Sequence, residues 1–464
     1  MKLPRSRHSL LATALVVAAF CAPQVGSIAS QPLAPAPKAS ASIAVRAAGR
    51  GNPYVNLGDA VGLLPRYSGH RAAAAQLEAG TARPLALATA DFDKDGVPDV
   101  IASWEAAGSS SVSLHRASFD ARHPYSEQAR RHREEGTFVG ERFMPEAAVF
   151  EIPEPAELMA AGDFDADGNQ DLAAASRHAK SLTVLHGDGA GGFRPPESLE
   201  LPGTLTALAA VDFNRRDGYE DLLAAVVGPD GARLLVYQSY EGALQAEPEA
   251  IPLPAPATAI AIGRLDTHPL RDLVVTAGDR LVLVPGRDRR LYATGRIREQ
   301  ADKLSVQEVE LPGPAESVAV GDFDGDVKDD IAVRLAGGVL WVRLAADPDK
   351  PQSMSLPGGP AEGENAARLV TAAVSSRPGR SLLLMEPSAR RLRLLMPEKG
   401  GPAPEPIDLE VAGRPVAVLP IYLNGDGLSD LVVLSEAPAS LSVSESMPLT
   451  TLTVTTVGDL GLGT

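Results

Sequence analysis

The stretch Asp163-Phe164-Asp165-Ala166-Asp167-Gly168-Asn169-Gln170-Asp171 recurs, intact or eroded, seven times between residues 91 and 430. Carboxylates at positions 1, 3, 5 and 9 of a nine-residue loop, with glycine at 6, are the spacing that wraps a hard cation in oxygen. The carbonyl of position 7 supplies a further ligand, and calcium is the cation this donor set selects. The loop is followed by Leu172, Ala173, Ala174 and Ala175, an apolar run ending at Ser176. Such a run is too short for the second helix of an EF-hand, so the loop joins two strands.

Position 9 falls at Asp99, Asp171, Asp221, Asp272, Asp330, Ser381 and Asp430, giving spacings of 72, 50, 51, 58, 51 and 49 residues. A period near 50 marks a repeat architecture, and the longer first spacing marks an insertion. Each unit reads as four strands. The first carries small residues, such as Ala86 and Ala88 or Ala160 and Ala161, as expected where strands crowd on an axis. The second is continuously apolar, as in Leu431 to Leu434, and should be buried on both faces. The third alternates, and a polar fourth ends near a Leu-Pro pair that suits an outer edge. Seven units of four strands predict an all-β fold, a seven-bladed β-propeller. A ring removes its free ends when both termini share a blade, so an N-terminal strand is expected in the last blade. The resemblance of 75–80 to 408–413 places that strand near 73–79, with 449–455 as the competing segment.

The units resemble FG-GAP and VCBS repeats, the family of the integrin α-subunit propeller. The resemblance rests on Gly162-Asp163-Phe164-Asp165-Ala166-Asp167-Gly168 with Asp171-Leu172, and on Gly321-Asp322-Phe323-Asp324-Gly325-Asp326 with Asp330-Ile331. It implies calcium in loops on one face, and extracellular adhesion or scaffolding more often than catalysis.

Units one and two are complete, with Asp91, Asp93, Asp95 and Asp99 around Gly96, and Asp163, Asp165, Asp167 and Asp171 around Gly168. Their position-7 carbonyls belong to Val97 and Asn169. Unit five offers Asp322, Asp324, Asp326 and Asp330 with Lys328 at position 7, but Val327 replaces the turn glycine, which adds strain without removing a ligand. Weaker sets are Asp212, Asn214, Asp217 and Asp221 in unit three, with one extra residue, and Asn424, Asp426 and Asp430 in unit seven, where Tyr422 holds position 1. Unit four has Arg264 and His268 at positions 1 and 5, and unit six has no carboxylates, so neither should bind a cation.

Lys2, Arg5 and Arg7 before an apolar run at 10–20 read as a signal peptide over 1–30, about half the length of a membrane span. Residues 31–50, rich in Ala and Pro, read as a linker, 51–446 as the propeller, and 447–464 as a tail that opens a truncated further module. Cys21 is the sole cysteine, so a mature exported chain has no disulfide and must be held by its core and by bound calcium. The net charge of -16 argues against nucleic acid as a partner. The longest insertion, 115–146, contains a capped helix from Ser126 and is the place to look for function. His115, His123 and His132 within it lack a zinc-ligand spacing, and the chain has no nucleophile elbow, His-Glu-x-x-His or phosphate loop. The expectation is a secreted or cell-surface, monomeric, non-catalytic binding, adhesion or scaffold module whose partner is an extracellular protein or glycan. The alternative is a carbohydrate-binding or polysaccharide-degrading protein on the same propeller.

Overall fold

A computed structural model describes residues 46–47 and 55–447, except 214–217, 240, 290–293, 297–302, 356–367, 376–377 and 396–405. The signal peptide, most of the linker, the tail and the competing segment 449–455 therefore lie outside the described residues.

Seven antiparallel sheets stand in chain order. Blade two shows the pattern: inner strand Leu158–Gly162, second Asp171–Ala175, third Ser181–Leu185 and outer Glu197–Glu200. The inner strand of each blade packs on that of the next, and the last, Arg414–Ile421, packs on the first, Arg83–Ala90. This is the seven-bladed propeller. The second strands are buried as predicted: Leu222 to Ala225 and Leu431 to Leu434 are all 0% exposed. Among the described residues, no helix is long and apolar enough to cross a membrane.

The N-terminal segment departs from expectation. Residues 71–78 are not a strand: Arg71–Glu78 forms a helix, α1, burying Ala73, Ala74 and Leu77. An alanine run has the highest helix propensity, and that overrides the local likeness to 408–413. The segment lying against the outer edge of blade seven is instead Val61–Gly62, which pairs with Val443 and Ser442. Arg66–Gly69 adds a parallel strand outside blade one. Arg46–Ala47, read above as linker, pairs with Glu410 and Leu409 at the edge of blade six.

The inner strands of blades one, three, four, five and seven each carry a register shift near their start, such as that between Pro84 and Ala86. A bulge there raises the local twist, as strands converging on an axis require. A small hydroxyl side chain ties several of these places to the neighbouring blade. Ser103, fully buried, accepts from the Ala86 N–H at 3.0 Å and donates to the Ala156 carbonyl of blade two at 2.6 Å. Ser317 accepts from Leu369 N–H of blade six at 3.0 Å. Ser103→Ala leaves a buried donor and a buried acceptor unpaired, so it is expected to cost about 2 kcal/mol in urea denaturation. Ser103→Thr, which keeps the hydroxyl, should recover part of this.

Candidate metal centre

Each loop turns on its position-6 residue. Gly96 and Gly168 have φ of 86° and 81°, and Val327 is forced to φ 72°, so the strain expected in unit five is present. The first carboxylate closes the turn: Asp91 Oδ2 accepts from Gly96 N–H, Asp163 Oδ2 from Gly168 N–H and Asp322 Oδ2 from Val327 N–H, each at 2.9 Å. The position-7 N–H groups of Val97, Asn169 and Lys328 donate to the position-5 carboxylates at 2.8–2.9 Å.

Among the described residues, ligand-capable oxygens gather in three of the loops. They come from Asp91, Asp93 and Asp99 in unit one, Asp163, Asp165 and Asp167 in unit two, and Asp322, Asp324 and Asp330 in unit five. These are the three units singled out from the sequence. Asp95 and Asp326 stand outside the clusters. The donor set is all carboxylate oxygen, which suits a hard cation. Asp93 Oδ1 and Asp163 Oδ1 are buried and accept no hydrogen bond, and Asp163 is only 4% exposed. Buried acceptors of this kind are normally satisfied, so the orphaned oxygens fit an ion. Burial, with neighbouring carboxylates adding to it, pushes Asp95 up to about 6, Asp99 to about 8, and Asp171 and Asp330 to about 6.

Loop seven is satisfied differently. Asn424 Nδ2 donates to Asp430 Oδ1 at 3.2 Å and to Asp426 Oδ2 at 3.2 Å, and Ser446 Oγ lies 2.9–3.1 Å from both carboxylates. Its oxygens are engaged by internal donors. In loop three, Asp212 Oδ2 accepts from Gly218 N–H at 3.3 Å, while Asn214 and Asp217 lie outside the described residues.

Position 9 has a second role that the loop spacing does not show. In six blades one of its oxygens accepts the N–H of position 2: Asp99 from Phe92, Asp171 from Phe164, Asp221 from Phe213, Asp272 from Leu265, Asp330 from Phe323 and Asp430 from Leu423. In five of these the other oxygen accepts an N–H from the end of strand three or just beyond it: Ala117, Gly187, Gly286, Ala345 and Ser446. The carboxylate staples the loop to the end of strand three, in blade four too, where Arg264 and His268 replace two of the cation ligands.

The residue just before each stapled N–H is Arg116, His186, Pro285, Leu344 or Glu445. Three of these reach charged partners. Arg116 Nη1 is 3.7 Å from Asp93 Oδ2, and His186 Nδ1 is 3.2 Å from Asp165 Oδ2 and 3.4 Å from Asp171 Oδ2. Glu445 binds Arg142 of the blade-one insertion at 2.8 Å. The sequence reading missed them because they lie outside the nine-residue loop. Their common signal is a position at the end of strand three, within it for Arg116 and directly after it for His186 and Glu445.

Residues 163–224 match the family described as FG-GAP-like repeat. That match, set in a ring of seven blades, supports an FG-GAP β-propeller for this chain. No curated protein matches it. Among solved structures, the FG-GAP propeller is similar to the crystal structure of BBS1N in complex with ARL6DN, soaked with lead, at TM-score 0.51 and 11% identity. That match covers 85% of this chain and 97% of the other. The V. cholerae biofilm matrix protein Bap1 is similar at TM-score 0.44 and 10% identity, with 85% and 91% covered.

Proposed function

We propose that this propeller is an exported, calcium-stabilised, non-catalytic binding module that engages an extracellular partner through the insertion in blade one. The observation that carries the reading is how rigidly that insertion is built. It leaves the third strand at Ala117 and returns at Phe143, with two helices between, α2 (Phe119–Arg122) and α3 (Glu127–Glu135). Ser118 and Ser126 cap them, and Gly136 ends α3 in the left-handed region.

Asp120, buried, binds His132 Nδ1 at 2.8 Å and accepts from Val139 N–H at 3.1 Å. Arg133 lies 4.1 Å over the Phe138 ring, and Arg142 joins the Ala121 carbonyl to Glu445 of blade seven. A solvated loop needs none of these ties. A preordered surface loses less entropy on binding, and Tyr125, 91% exposed, stands on it as an aromatic anchor. A propeller of the same fold in complex with another protein supports a protein partner.

The test is capture of envelope proteins and glycans by residues 51–464, in millimolar calcium and in chelator. Replacing 121–138 with a short Gly/Ser turn should leave the thermal midpoint within a few degrees and weaken capture of the protein partner at least tenfold. Tyr125→Ala should weaken it less. Glycan capture that survives the deletion would favour the carbohydrate-binding alternative. Turnover on a polysaccharide panel would overturn the non-catalytic reading.

A further inference from the structure

We propose that loop two of this propeller holds a transition-metal ion of the zinc class at Asp165, Asp171 and His186. One ligand-capable atom from each of the three lies within 4.8 Å of the other two. His186 Nδ1 stands 3.2 Å from Asp165 Oδ2 and 3.4 Å from Asp171 Oδ2, yet it is buried and has no hydrogen-bond partner. A charged imidazole paired with one carboxylate would aim its N–H along that contact. Here Nδ1 faces between two oxygens and bonds neither.

The spacing fits a metal ion: ligands at about 2.1 Å from a tetrahedral or octahedral centre stand about 3.0–3.4 Å from one another, as Nδ1 and the two oxygens do at 3.2 and 3.4 Å. The donor chemistry agrees, because imidazole nitrogen suits zinc, copper or nickel and is a poor calcium ligand. A second observation points the same way. Asp163, 4% exposed with an unpartnered Oδ1, belongs to a second cluster of ligand-capable oxygens in the same loop, which it shares with Asp165.

The flanks hold the ligands in place. Asp171 is fixed by Phe164 and Gly187 N–H groups, and Glu197 lies 3.8 Å from His186 Nε2, where it can orient the ring. Arg194, 3.7 Å from Asp165 Oδ2, is paired more closely with Asp167 at 2.7 Å. Loops one and five have Arg116 and Leu344 at the position of His186, so the mixed donor set belongs to loop two.

The site shares Asp165 with the calcium reading of loop two, so the experiment must separate the two metals. Full-length chain stripped with EDTA is titrated with Co²⁺, reading its visible d–d absorption, with and without 5 mM calcium. Zn²⁺ is then added as competitor. One Co²⁺ per chain, displaced by Zn²⁺, is expected, with affinity at least about 100-fold lower in His186→Ala and His186→Asn. The calcium-induced rise in thermal midpoint contributed by loops one and five should be unchanged in both variants, which also reports that they fold. Co²⁺ binding of equal affinity in wild type and both variants would overturn the proposal, as would the absence of binding in wild type. A His186-dependent Co²⁺ signal without any calcium-induced rise would sink the calcium reading and leave this one standing.

Discussion

Moving the folded chain from millimolar calcium into EDTA at pH 7.5 is expected to lower its thermal midpoint by on the order of 10 °C. A site that is saturated a thousandfold above its Kd contributes about 4 kcal/mol, and three such loops together rival the stability of a whole domain. The same transfer at pH 5 should cost clearly less. Without the ion, the folded state holds protons on Asp99, pushed up to about 8, and on Asp95, Asp171 and Asp330, pushed up to about 6. Burial is the main cause in each, with neighbouring carboxylates adding to it. Groups whose folded pKa lies above the unfolded value stabilise fully below that unfolded value, near 4. They lose this contribution as pH rises towards 8.

The ion-free protein therefore weakens from pH 4 to 8, while calcium affinity strengthens over the same window as competing protons leave. Differential scanning calorimetry in calcium and in EDTA at both pH values reads the two slopes directly. Asp93→Asn and Asp324→Asn should each remove about a third of the calcium-induced rise at pH 7.5. Equal midpoints in calcium and EDTA at both pH values would mean that the clusters of units one, two and five are not calcium sites.

Much of this architecture was legible because a propeller repeats its physics. The period near 50, the small residues of the inner strands and the apolar second strands each follow from one blade packing on the next. The turn glycine and its Val327 substitute were legible for the same reason, since φ near 72° is costly for any side chain. What escaped was what does not repeat. Val61–Gly62 is two residues long, too short for any alternation to show, whereas Ala75 to Gly80 has the letters of a strand elsewhere in the chain and the propensity of a helix. His186 escaped because it enters loop two from the far end of a hairpin, 15 residues after Asp171, and no local spacing connects them. The alternation of strand three gave its place without its meaning.

Position 9 shows the same limit from the other side: its recurrence was read as a ligand, yet its most constant partners are backbone N–H groups. Blade four separates the two roles, because Arg264 and His268 take the positions of the first and third carboxylates while Asp272 remains. Asp272 is 4% exposed, and its two oxygens accept from Leu265 N–H at 2.8 Å and Gly286 N–H at 2.9 Å. Hydrogen bonds to a charged acceptor contribute about 1.5–3 kcal/mol each, and both donors would be left buried. Asp272→Ala is therefore expected to cost about 3–5 kcal/mol, by the same amount in calcium and in EDTA. Asp272→Asn keeps one acceptor and turns an amide N–H towards the other donor, so it should recover less than half of that. Asp324→Asn should behave oppositely, with a large cost in calcium and little in EDTA, since its place is in the ion cluster and not at the staple. Urea denaturation of the three variants in both buffers decides the matter. An Asp272→Ala protein as stable as wild type would make the staple incidental and leave cation binding as the reason the chain repeats this carboxylate; a loss independent of calcium makes the fold itself the reason, with the metal added in those blades that kept the remaining oxygens.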